Sequence, residues 1–550
     1  MGRLRYIDFL KMGAVLFTLM GAAVHPAVAA EGALTQAIRK QLHGSGASGA
    51  ALRPGFTQYR MALRRFYDQH GYAPAWSTDA QARDGVAALR SAESHGLDAR
   101  SYDIEGIAAR LLERHASPDD LAETDTAMTL ALLRALDDVH SGQVEPRRVG
   151  VRLTTERWRF DPAEALQSAR ERGQIAQALN LAAPRWPQYE ALQEALGRYR
   201  AMALQVPAQS IPDGPLLMPG RFQGDVSPVR ELLVRLGDLP GSATMTARYE
   251  GELVAAVIRF QRRHGLDADG IIGRATRAAL NVPLAMRVRQ IELALERMRW
   301  FPAMGADRAI GVNVPAFTLW AVEQPGSGPL VRLQSKVVVG RAMETETPLF
   351  ATLVRGIEIN PYWNVPESIT VKEIVPMLKR NRRYLEREDM EIVTHGVPPR
   401  IVPAVNTKII GQLERGELRV RQRPGAKNAL GRLKLLMPND LDIYLHDTRE
   451  RALFGRSRRD LRHRCRGAPR IVELAAFLLA GIDDWDEHRI EAAMQGDVRQ
   501  VVRLEKPIPV VLFYSTVRVG ADGEVYFFAD LYGHDAVLDA ALKERTAALR

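Results

Sequence analysis

The stretch "YLHDTRERALFGRSRRDLRHRC" occupies Tyr444–Cys465 and ends on the only cysteine of the 550-residue chain. It begins inside "LDIYLHD", whose β-branched and aromatic residues read as a strand ending at His446. Seven arginines lie in the stretch, and His463 stands two residues before the cysteine. An ordinary thiol, with a pKa of about 8.5, is only a few per cent thiolate at neutral pH. Beside an imidazole base Cys465 would be a nucleophile; away from one it is a small buried residue, a common fate for a free cysteine. His446 likewise reads either as that base or as a hydrogen-bonded strand histidine. No CxxC or Cys/His cluster accompanies them, so neither metal nor cofactor is expected.

Working outward, "RIVELAAFLLAGI" (Arg470–Ile482) reads as an apolar helix closing the region. Upstream, "AIGVNVPAFTLWAV", "LVRLQSKVVVGR" and "RGIEINPYWNVP" are β-rich, with one helical piece, "ITVKEIVPMLKRN". Pro361, Pro366, Pro376 and Pro424 mark turns or edges, since proline cannot donate to a ladder. The unit implied, 305–550, is an α+β domain with a mainly β core. Tyr444 lies two residues before His446, on the same strand face, and either shapes the pocket or packs. Trp363 and Pro366 in "NPYWNVP" line a groove or fill the core. Asp447 and Thr448 either hold the second imidazole nitrogen or begin the loop. His463, within the arginine-rich loop, ranks below His446 as a base.

Before that domain lies a compact unit at 227–282. Ser227-Pro228 predicts an N-cap followed by proline at the first helical position. Val229, Leu232, Leu233 and Leu236 form an apolar stripe stopped by Gly237. A second helix, "GELVAAVIRFQRRHG", a turn, "LDADGIIG", and a third helix, "RATRAALN", complete it. The pattern Phe260, Gln261, Gly265, Leu266, Asp269, Gly270, Gly273, Thr276 and Leu280 resembles the three-helix peptidoglycan-binding module of wall enzymes. Residues 31–203 carry helical spacing in "QYRMALRRFYDQHGY", "DGVAALRSAESHGL" and "DTAMTLALLRALDDVHSGQ" and read as a helical scaffold. Pro- and Gly-rich residues at 204–226 read as a linker.

Residues 1–30 read as a signal peptide. Arg3, Arg5 and Lys11 precede the thirteen-residue, mainly apolar stretch Met12–Val24, and Ala27-Val28-Ala29 supplies a cleavage site. Thirteen residues fall short of the roughly 20 that span a bilayer, and no later run is long enough. The other reading of this segment is a retained anchor. A formal charge of +10 points to an anionic partner. Export selects a wall polymer in the periplasm over nucleic acid, and "GRSRRDLRHRCR" lacks the interleaved aromatics of a nucleic-acid platform.

The order of the blocks "NPYWNVPESI", "RQRPGAKNALGRLKLLMPND", "IYLHDT", "ALF", the cysteine and "VELAAFLL" resembles the catalytic domain of L,D-transpeptidases. The likeness is to the long subgroup with a helical scaffold and a wall-binding module, and runs from about Gly71 to about Leu538. It implies an acyltransferase in which Cys465 is the nucleophile and His446 the proton donor and acceptor. His463 and Tyr444 take supporting places, and Trp363 and Arg466 contact substrate. It further implies stem peptides and glycan of peptidoglycan as partners, a 3→3 cross-link as product, and carbapenems as covalent inhibitors. Two positions depart from the family motif. Arg464 stands where glycine is expected, and Gly467 where arginine is, which leaves an inactive wall-binding homologue as the alternative.

Overall fold

A computed structural model describes residues 31–43, 53–113, 117–152, 160–205, 210–221, 226–242, 248–301, 307–324, 330–441, 443–462 and 469–549. Residues 1–30, expected to be a signal peptide, lie outside the described residues. The chain is multidomain, with helices first, then a small three-helix unit, then a mainly β domain.

The first core is built around the helix Pro118–Ser141, started by a reciprocal capping box between Ser117 and Asp120. Helices Phe56–Asp68, Asp79–Ser91, Ile104–Leu111 and Pro162–Glu171 surround it. They bury Leu63, Phe66, Leu89, Leu132, Leu133 and Leu166 together. The buried Asp125 carboxylate accepts from the backbone of Ala75 (3.1 Å) and Trp76 (2.9 Å), tying a loop to this helix.

The helix Pro187–Gln205 leaves this core and packs on the helix Leu284–Met298. Tyr189, Leu192 and Leu196 meet Ile291 and Leu295 there, over Val517 and Phe527 of the C-terminal region. Long-range ion pairs lock the assembly. Arg545 on the last helix, His534–Ala548, holds Asp138 of the central scaffold helix at 2.6 Å, and Arg289 holds Asp539 of that last helix at 2.6 Å.

His95 lies in this junction, fully buried, 3.1 Å from the Tyr189 hydroxyl. Burial, with the Arg299 charge behind it, pushes its imidazole down to about 4. The folded ring therefore stays neutral from pH 6.5 to about 4, while the unfolded ring takes up a proton. Stability from this site is complete above pH 6.5 and is lost as pH falls toward 4. We expect the wild type to lose roughly 2–3 kcal/mol more than a His95→Gln protein between pH 7 and pH 4, measured by urea unfolding.

In the small unit, helices Ser227–Arg235, Glu252–Arg263 and Arg274–Leu280 appear where the spacing predicts them. Ser227 is the first helical residue rather than the cap, which is Val226. The stretch read as a linker runs along this unit over residues 210–221. Leu217 bridges Ile272, and Ile211 exchanges hydrogen bonds with the Asn281 side chain at 2.7 and 2.8 Å.

The C-terminal domain centres on a mixed sheet in the order β1-β6-β13-β2-β3-β4, with β11 also on β6. These strands are β1 (Val151–Arg152), β2 (Arg308–Asn313), β3 (Thr318–Glu323), β4 (Leu330–Lys336), β6 (Leu349–Ile359), β11 (Leu433–Leu436) and β13 (Gln500–Phe513). β1 comes from the scaffold side and adds in parallel to β6. A parallel pair, β5 (Val339–Gly340) with β12 (Asp460–Arg462), stands at one side. A second sheet, β7-β10-β8-β9, uses β7 (Trp363–Asn364), β8 (Met390–Val393), β9 (Ile401–Val402) and β10 (Arg419–Gln422) over its own core. A hairpin, β14 (Val517–Val519) with β15 (Val525–Phe527), faces the helices.

Three local readings change. "ITVKEIVPMLKRN" is helical but interrupted, with a π turn at Thr370–Ile374 before the helix Val375–Arg380. Pro376 has no N–H to give and its ring crowds the preceding turn, which widens it. A second helix in this region, Thr407–Glu414, is capped by Asn406 through Ile409 N at 3.0 Å. "LDIYLHD" is not a regular strand: His446 makes a lone bridge to Lys434. The Asn439 side chain binds Leu441 N, Ile443 N and Ile443 O at 2.9–3.1 Å, and so curls the backbone before it can pair further.

Candidate active site

His446 is reached through a tight hairpin-like return from β11. Leu435 N donates to Leu445 O (2.8 Å), and Asp447 N donates to Leu433 O (2.7 Å). Buried Ile443 and Leu445 anchor this return in the main core beside Leu433 and Leu435. His446 itself is 5% exposed.

Its Nδ1 is hydrogen-bonded to the backbone carbonyl of Asp447. A carbonyl oxygen only accepts, so Nδ1 carries a proton, and in the neutral ring Nε2 carries the lone pair. That is the tautomer a general base needs, with its basic nitrogen on the side away from the anchoring bond. The holder of the ring is thus the main chain of Asp447 rather than its carboxylate. Asp447 instead turns its carboxylate to Arg432 N at 3.0 Å, against Gly431. Gly431 has φ +65°, and the close approach of Asp447 leaves no room for a side chain there. Thr448, buried, accepts from Glu450 N at 3.1 Å and begins the loop.

The neighbouring wall is sewn by amides. Asn428 donates to Pro361 O (3.0 Å) and Arg423 O (2.9 Å), and accepts from Leu430 N (2.8 Å). Asn360 N donates to Arg432 O at 2.8 Å. The blocks "NPYWNVP", "RPGAKNALGR" and "YLHDT", far apart in sequence, are joined here through hydrogen bonds. Trp363 lies on β7, pairs with Gln422 and packs half-buried against the second core. Tyr444 is half-buried, with Lys434 Nζ 3.7 Å from its ring centroid.

β12 leads toward the cysteine, and the helix Ile471–Leu479 follows it, sending Leu474 and Leu478 into the main core. His463, Arg464, Cys465, Arg466 and Gly467 lie outside the described residues. The loop before β12 is fastened by Arg459, which sequence reading took as one more charge in a basic run. It is buried and donates to Val337 O (3.2 Å), Arg456 O (2.6 Å) and Phe317 O (3.0 Å). Burial pulls its guanidinium down to about 10. No sequence period marks this arginine; only contacts over a hundred residues away distinguish it from its neighbours.

In the small unit, Phe260 is in the core, and Gln261, 1% exposed, spans the turn. Gln261 donates to Asp269 Oδ1 (3.1 Å), Ile271 O (2.9 Å) and Thr276 Oγ1 (3.2 Å), and accepts from Gly270 N (2.8 Å). The hallmark residues Gln261, Asp269, Gly270 and Thr276 therefore bind one another, and Gly273 precedes the third helix. Among the described residues no helix is long and apolar enough to cross a membrane, and no cluster of His, Cys, Asp or Glu could hold a metal ion.

Comparison with known proteins follows the same division. Residues 61–196 match a scaffold domain, 223–280 a domain described as "Putative peptidoglycan binding domain", and 307–475 an L,D-transpeptidase catalytic domain. The last range includes both His446 and Cys465. A protein of Haemophilus influenzae described as "Putative L,D-transpeptidase" is 27% identical over 253 residues. That alignment covers 46% of this chain and 49% of the relative, so the chain spans about half the length of the protein it matches. The chain carries an L,D-transpeptidase catalytic domain joined to a scaffold domain and a peptidoglycan-binding domain.

Proposed function

We propose that the protein is a periplasmic cysteine L,D-transpeptidase that cross-links peptidoglycan stem peptides. The observation that carries this reading is the buried His446 ring, held by Asp447 O in the tautomer whose Nε2 accepts a proton. Its partner in this reading is Cys465, which lies within the residues matched to the catalytic domain.

In this reading the Cys465 thiol gives its proton to His446 Nε2, and its sulfur attacks the carbonyl of the third stem residue. The tetrahedral intermediate collapses to a thioester. The bond to the terminal D-alanine breaks, and that amine leaves with the proton from His446. An acceptor amine on a second stem then attacks the thioester, loses its proton to His446 and returns the thiol. Two moderate barriers replace one high one. Backbone N–H groups beside the sulfur are the natural donors to the oxyanion. Arg462, Arg464 and Arg466 favour the thiolate by their charge. The basic, apolar start of the chain supports export, and the wall-binding domain supports a cell-wall location.

The departures at Arg464 and Gly467 favour a second reading, an inactive wall-binding homologue. Incubation with tetrapeptide muropeptides or a carbapenem, followed by intact mass, separates the two. The transpeptidase reading expects one acyl adduct per chain, absent from Cys465→Ala. No adduct on a folded wild type, with sacculus binding retained, would establish the second.

A further inference from the structure

A groove of about 800 Å³ separates the peptidoglycan-binding domain from the catalytic domain, within the roughly 300–1,000 Å³ typical of ligand sites. One wall is the turn Gly265–Ala275 of the small domain. The other is formed by Pro315–Thr318, Ser457–Arg459 and the β14–β15 hairpin region.

The two walls are held in fixed register. Arg263 of the small domain donates to Val525 O at 3.3 Å and pairs with Asp238. His264 stacks between Phe260 and Phe527, at 3.8 and 5.7 Å between ring centroids. Gly265 turns at φ +66° close against Phe528, where a Cβ would stand 3.4 Å from the ring. The groove is therefore part of one packed unit and not a gap between tethered beads.

Its charge is unbalanced. Six basic side chains line it against two acidic ones, Asp267 and Asp269, and Asp269 is engaged by Gln261 and by Ile271 N. Among the described residues Arg262, Arg274 and Arg518 make no ion pair with a carboxylate, while Arg458 pairs with Asp460, Lys336 donates to Phe454 O at 3.0 Å and Arg459 is spent on backbone carbonyls. Arg518 is laid on the Tyr526 ring at 4.0 Å, which presents its guanidinium without a counter-ion. Cations gathered without carboxylates are complementary to a carboxylate-bearing ligand. Phe317 and Phe528 add apolar surface for the ligand's carbon chain.

We propose that this groove is a second docking site for peptidoglycan, taking the carboxylates of a stem peptide in the cleft between the two domains. Ser457–Arg459 form one wall and lead directly into β12, so a stem held here lies along the segment that continues to Cys465. The choice of peptide as ligand rests on the transpeptidase reading above; the existence of an anion-selective groove does not.

The test uses full-length Cys465→Ala protein, which cannot turn over, titrated calorimetrically with a disaccharide-tetrapeptide. Arg262 and Arg274 are exposed, so their replacement leaves the fold intact. We expect Arg262→Gln/Arg274→Gln, and separately Arg518→Gln, to weaken binding about tenfold at low salt. Amidating the peptide carboxylates should weaken it equally, and peptide-free disaccharide should bind the same to every variant. Unchanged tetrapeptide affinity in both variants overturns the proposal. So does an equal loss with the bare disaccharide, or competition by inorganic phosphate as effective as that by the peptide. The adduct experiment is read separately. An adduct with no effect of the arginine variants removes the groove alone, and a variant effect without an adduct removes the cross-linking reading alone.

Discussion

The His446→Ala protein is expected to form its carbapenem or muropeptide adduct about 10²–10⁴-fold more slowly than wild type. The expectation follows from the ring's anchoring. With Nδ1 committed to Asp447 O, Nε2 is the one basic position of the ring, and its removal leaves the thiol to ionise unaided. His446→Gln keeps a donor for Asp447 O but has no basic nitrogen, so it should be as slow as the alanine protein while melting close to wild type. Free imidazole should restore part of the rate to His446→Ala, since the cavity left is the size of the lost ring. Rate constants for adduct formation, measured by intact mass at pH 7 and pH 9, check this. At pH 9 the thiol ionises without help, and the gap between variant and wild type should narrow. A His446→Ala protein that acylates at the wild-type rate would remove the imidazole from the mechanism.

The second large effect is expected from Gly431→Ala. A Cβ at this position would stand 2.5–2.6 Å from Oδ2, Cβ and Cγ of Asp447, and the backbone is left-handed there. The cost combines about 1–2 kcal/mol for a non-glycine residue in that conformation with about 1–3 kcal/mol for overpacking. Because the contact includes the Asp447 Cβ, rotating the carboxylate does not relieve it, and the main chain of Asp447 has to shift. That same main chain holds the His446 ring. A substitution without any chemistry of its own should therefore lower both the denaturation midpoint and the acylation rate. Gly523→Ala is the matched control, with φ +78° and nothing within 4 Å of the added carbon. It should bear only the backbone cost and acylate normally.

The division into a helical part, a three-helix unit and a mainly β part is legible in the chain because each rests on local regularities. The stripe Val229, Leu232, Leu233 and the turn glycines Gly265 and Gly270, both at positive φ, specify the small domain within a few dozen residues. The long helix Pro118–Ser141 is legible in the apolar spacing of "DTAMTLALLRALDDVHSGQ", while its capping box is seen in the structure. The helix Thr407–Glu414 had an equally local signal, Asn406 ahead of Ile409, Ile410 and Leu413, and was overlooked beside the strand-rich segments around it. The strand expected at "LDIYLHD" failed for a side-chain reason, the Asn439 amide competing for the backbone.

The candidate site divides the same way. The residue types that could do acyl transfer, His446 and Cys465, are visible in the primary chain, as is the oddity of Arg464 and Gly467 beside them. The carbonyl that orients the imidazole is not visible, because the obvious partner, the Asp447 carboxylate, is drawn off to Arg432 N by a loop folded over it.

Residue order alone determined the succession of domains and the chemistry at hand, since helix periodicity, turn glycines and caps act over neighbours four residues apart or fewer. Tertiary structure alone decided which arginine of one basic run is buried against carbonyls and which cations of the small domain face an open groove. A side chain's charge is written in the chain, but its solvent and its partner are supplied by segments more than a hundred residues away, and those set what the charge can do.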